Sequence, residues 1–321
     1  MKEPSKDSSR VCVVTPNPLL VIEIEPTSDD APSPKADVHT HLGGQGLWVA
    51  RMAASLGAQV TVCGPFGGEI GSLLIRMLEQ TGISLHAVPY GRGNGASVYD
   101  RRAGEREELA VMGPPRLSRH EVDDLFGSAL VAALDSDVCV LTGAHPSRVI
   151  PASFFSRLTR DVRAAGTLVV ADLSGPQAMA AIEAEVDVLK ISDEEMLAGG
   201  FAEESSEANL REAATRLIQR GVGAVVVSRA GEPALVVTAE GSSRLLPPSV
   251  STVDHRGAGD SMTAGIAVAM GRGASVLEAA QLGAAAGALN VTRRGLGTGR
   301  REQVERFATR VLTEEVTARQ A

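Results

Sequence analysis

The chain has 321 residues, of which 44% are hydrophobic, 22% are charged and 3% are aromatic. This composition predicts a globular protein with a sizeable core, built as one large domain or two modest ones. The formal net charge of −8 and the scattered Lys and Arg residues argue against nucleic acid as a partner. Residues 1–10 are polar and no apolar run is long enough to cross a bilayer. We therefore expect a flexible tail at 1–10, a domain at 11–321, a cytoplasmic location and no membrane partner.

Short β-branched runs recur along the chain and predict buried strands, at 11–15, 59–63, 137–141, 167–172, 187–191 and 224–228. Between most of them lie helical patterns, several of which end in Gly, at 48–57, 71–82, 153–166 and 209–221. The Ala- and Gly-rich stretch 274–291 predicts a closely packed core helix. Alternating strands and helices predict an α/β fold with a mainly parallel sheet covered on both faces. Cys12, Cys63 and Cys139 lie inside apolar runs without metal-binding spacing, so we expect buried, reduced thiols.

Two stretches interrupt this alternation, one at about 19–40 and the other at about 84–112. LLVIEIEP (19–26) alternates in hydrophobicity, and both SLHAVPYG (84–91) and the segment 96–112 are typical of antiparallel hairpin strands. We expect the two stretches to form a small, discontinuous β lid beside the main sheet. The alternative is that they are irregular edge strands and loops.

The segment VDHRGAGDSMTAGIAVAMG (253–271) is the most informative part of the sequence. A Gly-Ala-Gly turn leads into an apolar helix that begins near Asp260. Such a turn directs backbone N–H groups and the helix dipole at one point, which is the environment that a transferring phosphoryl group requires. Asp260 is placed to accept a proton from an attacking hydroxyl. The alternative is a tight loop whose Asp caps a helix, and the segment alone does not decide between the two.

VDHRGAGDSMTAG resembles the C-terminal signature of the PfkB carbohydrate kinases, DTxGAGDxFxAG. Other segments resemble family motifs in the same order from about Val11 to the end of the chain: TPNP (15–18), GGQG (43–46), GPFGGEIG (64–71), LTGAHP (141–146), ADLSG (171–175) and KISDEE (190–195). The shared order makes the resemblance specific. It is strongest to the branch of 1-phosphofructokinases and tagatose-6-phosphate kinases.

The resemblance implies a ribokinase-like three-layer αβα domain with a β lid, and an ATP-dependent, Mg²⁺-using kinase for a small hydroxyl compound. It implies that Asp260 is the base and that Gly257, Ala258 and Gly259 form the anion hole. Glu195 would hold the metal through water. The implied nucleotide-site residues are Lys190, Ser192, Ser228, Ala230 and Gly231, and the implied acceptor-side residues are Asn17, Val21, Gly43, Gly44, Gln45, Trp48 and Ala144. Lid-to-lid homodimers in related enzymes suggest a homodimer here.

Four acceptor-side positions depart from the family pattern. Val21 stands where an Asp usually binds acceptor hydroxyls, and Ala144 replaces a serine. Gln45 and Trp48 replace a Lys and an Asn. Because buried hydroxyls without partners cost about 1–3 kcal/mol each, we expect an acceptor that differs from the usual one. Trp48 either stacks on that acceptor or packs into the core.

Smaller departures lie elsewhere. Ser192 replaces an Asn that helps to organise metal waters, and in Ser228-Arg229-Ala230-Gly231 a glycine is displaced by one residue. Arg256 adds positive charge near the transferring phosphate or lies on the loop rim. Lid arginines that could grip an acceptor phosphate, or form a solvated charged hairpin, are Arg92, Arg101 and Arg102.

Three functions stay open from the sequence. The first is a kinase for a sugar, sugar phosphate or polyol, which GAGD and Glu195 favour. The second is a nucleoside-type kinase, in which Trp48 would stack on a base. The third is a nucleotide-binding sensor with a reduced acceptor site, against which Asp260 argues.

Overall fold

The computed structural model describes residues 8–27, 36–293, 295 and 297–316. Its strands are β1 (Arg10–Val14), β2 (Leu19–Pro26), β3 (Ala36–Gly43), β4 (Gln59–Phe66), β5 (Ser84–Pro89), β6 (Gly95–Asp100), β7 (Glu107–Met112), β8 (Val138–Thr142), β9 (Leu168–Asp172), β10 (Val188–Ser192), β11 (Ala224–Ser228), β12 (Ala234–Thr238), β13 (Ser242–Leu246) and β14 (Leu312–Glu315). Its helices are α1 (Gln45–Ser55), α2 (Gly68–Glu79), α3 (Arg119–Leu134), α4 (Ser153–Ala164), α5 (Gly175–Ile182), α6 (Asp193–Ala198), α7 (Glu207–Gln219), α8 (Ala258–Gly271), α9 (Val276–Asn290) and α10 (Arg301–Ala308), with a 3-10 turn at Ser147–Val149.

The large sheet has the strand order β14-β13-β12-β11-β10-β9-β8-β1-β4-β5. The strands from β11 to β5 pair in parallel, whereas β12, β13 and β14 pair antiparallel at one side. Side chains alternate across each strand, so a strand covered on both faces must be apolar at every position. In β1, Val11 and Val13 pack into one core while Cys12 and Val14 pack into the other. The predicted mainly parallel sheet is confirmed.

Helices cover both faces of this sheet and complete three layers. One core contains apolar residues of α1, α2, α8, α9 and α10, and the other contains those of α3 to α7. Helices α8 and α9 approach very closely, since a Cβ atom on Gly265 would lie 2.6 Å from Cα of Gly283. The predicted core helix within 274–291 is therefore present as α9, and the three-layer fold is confirmed.

A separate four-stranded sheet in the order β3-β2-β6-β7 forms the lid. Residues 28–35 of the predicted lid region lie outside the described residues. The prediction that 84–91 belongs to the lid is wrong for β5, which pairs in parallel with β4 at the edge of the large sheet. β5 is mostly exposed, and its two apolar contacts, Leu85 and Val88, lie on opposite faces and pack against different cores. Such a short pattern does not indicate which sheet the strand joins, and only the pairing partner decides it.

The remaining predictions concern the N-terminal tail, the cysteines and membrane spans. Residues 1–7 of the predicted tail lie outside the described residues, and Arg10 already belongs to β1. The three cysteines are buried and free, as the sequence predicted. Within the described residues, no helix is both long and apolar enough to cross a membrane.

Candidate active site

Residues 257–260, called the catalytic turn after the role predicted for them, lie at the N-terminus of α8. Gly257 caps this helix with a φ of 69°, in the left-handed region that glycine adopts without steric cost. The N–H groups of the first turn have no partner inside the helix and point out of its N-terminal end, where the helix dipole is positive. The turn predicted from Gly257, Ala258 and Gly259 is thus a helix N-terminus of the kind that binds phosphate groups.

Beneath this turn lies a buried polar network that joins three elements. Asp172, at the carboxyl end of β9, accepts hydrogen bonds from Lys190 Nζ at 3.2 and 3.3 Å and from Thr263 Oγ1 at 2.6 Å. Both Asp172 and Lys190 are almost fully buried. A Cβ atom on Gly259 would lie 2.7 Å from Lys190 Nζ, so the ammonium group sits directly against the turn. A side chain at position 259 would displace this ammonium group.

Asp260 occupies the third position of α8 and is partly buried. Burial and the neighbouring Asp172 carboxylate raise its pKa from the ordinary value of 3.8 to about 7, and the Lys190 ammonium partly opposes this shift. Burial alone would lower the pKa of Lys190, but the surrounding carboxylates, Asp172 first, raise it. Lys190 is therefore charged at neutral pH. A carboxylate whose pKa is near the working pH is suited to general base catalysis.

Glu195 and Ser192 form a capping box at the start of α6. Ser192 Oγ accepts a hydrogen bond from the Glu195 backbone N–H at 3.1 Å, and Glu195 Oε2 accepts one from the Ser192 N–H at 2.8 Å. This arrangement fixes both side chains at the carboxyl end of β10. The metal role predicted for Glu195 remains a prediction.

The predicted nucleotide-side residues follow the ends of neighbouring parallel strands. Ser192 and Ser228 are paired in register at the ends of β10 and β11. Ala230, in the turn after β11, has a φ of 22°, and a Cβ atom on the adjacent Gly231 would meet nothing within 4 Å. In open α/β sheets ligands bind beyond the carboxyl ends of the strands, which is where these residues lie.

The structure also brings together most of the predicted acceptor-side residues. A Cβ atom on Gly44 would lie 2.4 Å from the Asn17 carbonyl oxygen, and one on Gly43 would lie 2.5 Å from Val21 Cγ2. The Asn17 side chain is buried and donates to the His145 carbonyl at 2.9 Å, while its Oδ1 is buried without a hydrogen-bond partner among the described residues. These residues form a small wall where β1 and β8 end and where β2 and β3 of the lid meet α1.

Gln45 and Ala144 complete that wall through the backbone of the loop after β8. Gln45 Oε1 accepts a hydrogen bond from the Gly143 N–H at 2.9 Å. The Ala144 N–H donates instead to Gln177 Oε1 at 3.0 Å, and Ala144 is buried. Gln45 therefore orders the loop that carries Ala144.

Trp48 lies in the first turns of α1 and is half-buried. Its indole Nε1 donates to the Leu42 carbonyl at 2.9 Å, and its backbone packs against Gly297. The indole N–H is therefore already hydrogen-bonded to the protein backbone. Stacking of this ring on an acceptor remains a prediction.

Sequence reasoning missed Asp172, Thr263 and several charged residues between the lid and the catalytic turn. Asp172 could have been identified from the sequence, because a carboxylate at the end of a buried parallel strand lies at the ligand-binding edge of the sheet. Of the predicted lid arginines, Arg92 is exposed and Arg102 pairs with Asp100 of the same lid. Arg101 reaches out of the lid to Asp254 in the loop before the catalytic turn.

Comparison with known proteins gives a consistent picture. Residues 19–303 match the family described as pfkB family carbohydrate kinase. The chain is 32% identical to ATP-dependent 6-phosphofructokinase isozyme 2 of Mycobacterium tuberculosis over 96% of this chain and 92% of that protein. It is 26% identical to 1-phosphofructokinase of Vibrio cholerae over 92% and 94% of the two chains. Its fold is similar to the crystal structure of phosphofructokinase-2 from Escherichia coli in complex with potassium, with a TM-score of 0.83 and 23% identity, covering 94% of this chain and 99% of that one.

Proposed function

Because the chain belongs to the pfkB family of carbohydrate kinases, we propose that it transfers the γ-phosphoryl group of ATP to a hydroxyl of a sugar or sugar phosphate, with Asp260 as the general base. One observation carries the proposal. A carboxylate with a pKa near 7 lies in the first turn of a helix whose N-terminus is open for phosphate, directly above the buried Lys190–Asp172 pair.

The chemistry follows from these positions. Asp260 takes the proton of the acceptor hydroxyl as its oxygen attacks the γ-phosphorus, and the bond from that phosphorus to the β,γ-bridging oxygen breaks to release ADP. The N–H groups of the catalytic turn stabilise the negative charge on the transferring group. Lys190 holds the turn from below through its contact with Gly259.

The donor set fits a magnesium ion carried by the nucleotide. No group of three or more His, Cys, Asp or Glu side chains in the described part of the chain is arranged to hold a metal ion alone. Mg²⁺ in kinases instead binds phosphate oxygens together with one or two carboxylates. Glu195 uses only Oε2 in its capping box, so its second oxygen is the group that would hold Mg²⁺ through water. Bound there, the ion would neutralise phosphate charge.

One buried polar atom on the acceptor side supports this choice of acceptor. Asn17 Oδ1 is buried without a hydrogen-bond partner among the described residues, and an unpaired buried polar group costs about 1–3 kcal/mol. A hydroxyl of a sugar supplies the missing donor, and the phosphofructokinase names of the relatives agree with a sugar or a sugar phosphate.

The lid is the proposed dimer interface. Its edge strand β7 is exposed along its whole length and carries Leu109, Val111 and Met112, which are each at least half exposed. An uncovered apolar edge strand invites pairing with another chain. A homodimer through this edge, in a cytoplasmic enzyme, is the assembly that we propose.

The testing experiment is an ADP-release assay of the purified protein with MgATP against sugars, sugar phosphates, polyols and nucleosides. We expect a sugar or sugar phosphate to be phosphorylated, and Asp260→Asn to lower that transfer by roughly 10²–10⁴-fold while ATP affinity stays within about threefold. Asp123→Asn, on the exposed face of α3, is the control and should leave transfer unchanged. Transfer that survives Asp260→Asn at the wild-type rate would rule out the base assignment.

A further inference from the structure

The loop before the catalytic turn is fixed to the body of the protein at one side. The backbone N–H groups of Val253 and Asp254 both donate to the Val291 carbonyl at the end of α9. Asn290 Nδ2 donates to the Arg256 carbonyl at 2.7 Å. The residue after Arg256 is Gly257, which caps α8, so any displacement of this loop is passed directly to the catalytic turn.

At its other side the same loop is tied to the lid by two crossing ion pairs. Arg101, which follows β6 of the lid, donates to Asp254 Oδ2 at 2.8 Å. Arg256 of the loop reaches Glu23 Oε1 on β2 of the lid at 3.4 Å. Each segment therefore supplies one cation and one anion to the other.

Two further contacts hold these four side chains in place. Arg256 Nε donates to Asp254 Oδ1 at 3.0 Å, which orients its guanidinium group toward the lid. Arg106 lies 3.3 Å from Glu23 Oε1 and stacks on the ring of Tyr99. The Glu23 carboxylate is thus placed by arginines from both the lid and the loop.

The pairs lie where charge interactions are effective. The side chains of Glu23 and Asp254 are 11% and 4% exposed, and those of Arg101 and Arg256 are 17% and 19% exposed. Such groups are screened less by salt than surface charges, and removal of one partner leaves a poorly solvated charge behind. By comparison, the Arg102 side chain of the lid pair Arg102–Asp100 is 57% exposed, and the pair connects nothing outside the lid.

We propose that Glu23 and Arg256 are positioning residues that hold the lid over the acceptor and couple its position to the catalytic turn. The inference rests on the proposed kinase function. Side chains two residues apart on a strand share a face, so Glu23 projects on the same face of β2 as Val21, the acceptor-side position that here lacks a carboxylate.

The first test is independent of catalysis. Hydrogen–deuterium exchange of the apo protein should be at least fivefold faster in β2, β3 and β6 in Arg256→Gln and in Glu23→Gln than in wild type, with the large sheet unchanged. Arg102→Gln is the matched control and should leave lid exchange unaltered. Equal lid exchange in wild type, Arg256→Gln and Glu23→Gln would overturn the proposal, whether or not an acceptor has been found.

The second test is a double-mutant cycle in the kinase assay. We expect each single variant to raise the acceptor KM at least tenfold and to lower kcat by a smaller factor, with the ATP KM changed less than threefold. The acceptor KM of the double variant should exceed that of the more impaired single variant by no more than about twofold, because both single variants remove the same Glu23–Arg256 interaction. Effects that multiply, or a fall in kcat without a change in acceptor KM, would contradict a positioning role. If Arg256→Gln does not fold, Glu23→Gln and Arg256→Lys decide the question, since Lys keeps the charge and should restore part of the loss.

Discussion

Asp260, the proposed base, illustrates how a catalytic role would conflict with stability. Burial and the Asp172 carboxylate disfavour its charged form, and these same influences bring its pKa to about 7. Lys190 lowers the free-energy cost of ionising Asp260 only in part, because its ammonium group is already paired with Asp172 at 3.2 Å. The site therefore keeps a destabilised carboxylate at the position where the proposed reaction needs a base.

Asp260→Asn should stabilise the protein while it lowers the proposed transfer. The native carboxyl keeps its proton up to about pH 7, whereas an unfolded Asp loses it near 3.9. Between these values the native state binds more protons, so the free energy of unfolding falls as pH rises. Asn cannot ionise, so urea unfolding should show Asp260→Asn more stable than wild type at pH 8, by at most about 4 kcal/mol, with the difference closing toward pH 4. An Asp260→Asn variant less stable than wild type at pH 8 would disprove this explanation.

At the scale of elements, the catalytic turn depends on how closely α8 packs against α9. A Cβ atom at Gly265 would meet the backbone of Gly283 at 2.6 Å, and backbone cannot move aside as a side chain can. Gly265→Ala should thus lower the free energy of unfolding by about 1–3 kcal/mol, measured by chemical denaturation.

Gly127→Ala is the matched control for this helix contact. Gly127 is also inside a helix, α3, but a Cβ atom there would meet nothing within 4 Å. Removal of a flexible residue should raise stability by about 0.4–1 kcal/mol. Effects of the same sign in the two variants would contradict the packing explanation.

Two elements show where local sequence patterns are ambiguous. The short pattern in 84–89 fits a lid strand as well as the edge strand β5, and only its parallel pairing with β4 separates them. Ser192 and Glu195 have the spacing of a capping box, and they also belong to KISDEE (190–195), the segment that resembles a kinase motif. The structure shows that the capping box is formed. A cap does not preclude a metal role, because it places the carboxylate at the end of β10.

For the whole molecule, the exposed edge of the lid leads to a prediction about assembly. Val111→Arg on β7 should convert a dimer into a monomer in sedimentation equilibrium, because it puts charge into the proposed apolar interface. Val131→Arg is the control, since Val131 is similarly exposed at 57% on α3, away from the lid. A wild-type monomer, or dissociation by Val131→Arg alone, would disprove the lid interface.

The sequence by itself determined the αβα architecture and the catalytic turn. Both are encoded locally: strand and helix periods appear within ten or fifteen residues, and Gly-Ala-Gly-Asp before an apolar helix specifies a helix N-terminus with a carboxylate. Tertiary structure alone decided which charged and polar side chains meet. Asp172 joins Thr263 from 91 residues away and Arg101 joins Asp254 from 153 residues away. The sequence around a charged residue does not indicate its partner, because an ion pair requires only that the two groups lie close together. That proximity is set by strand order and by the placement of the lid.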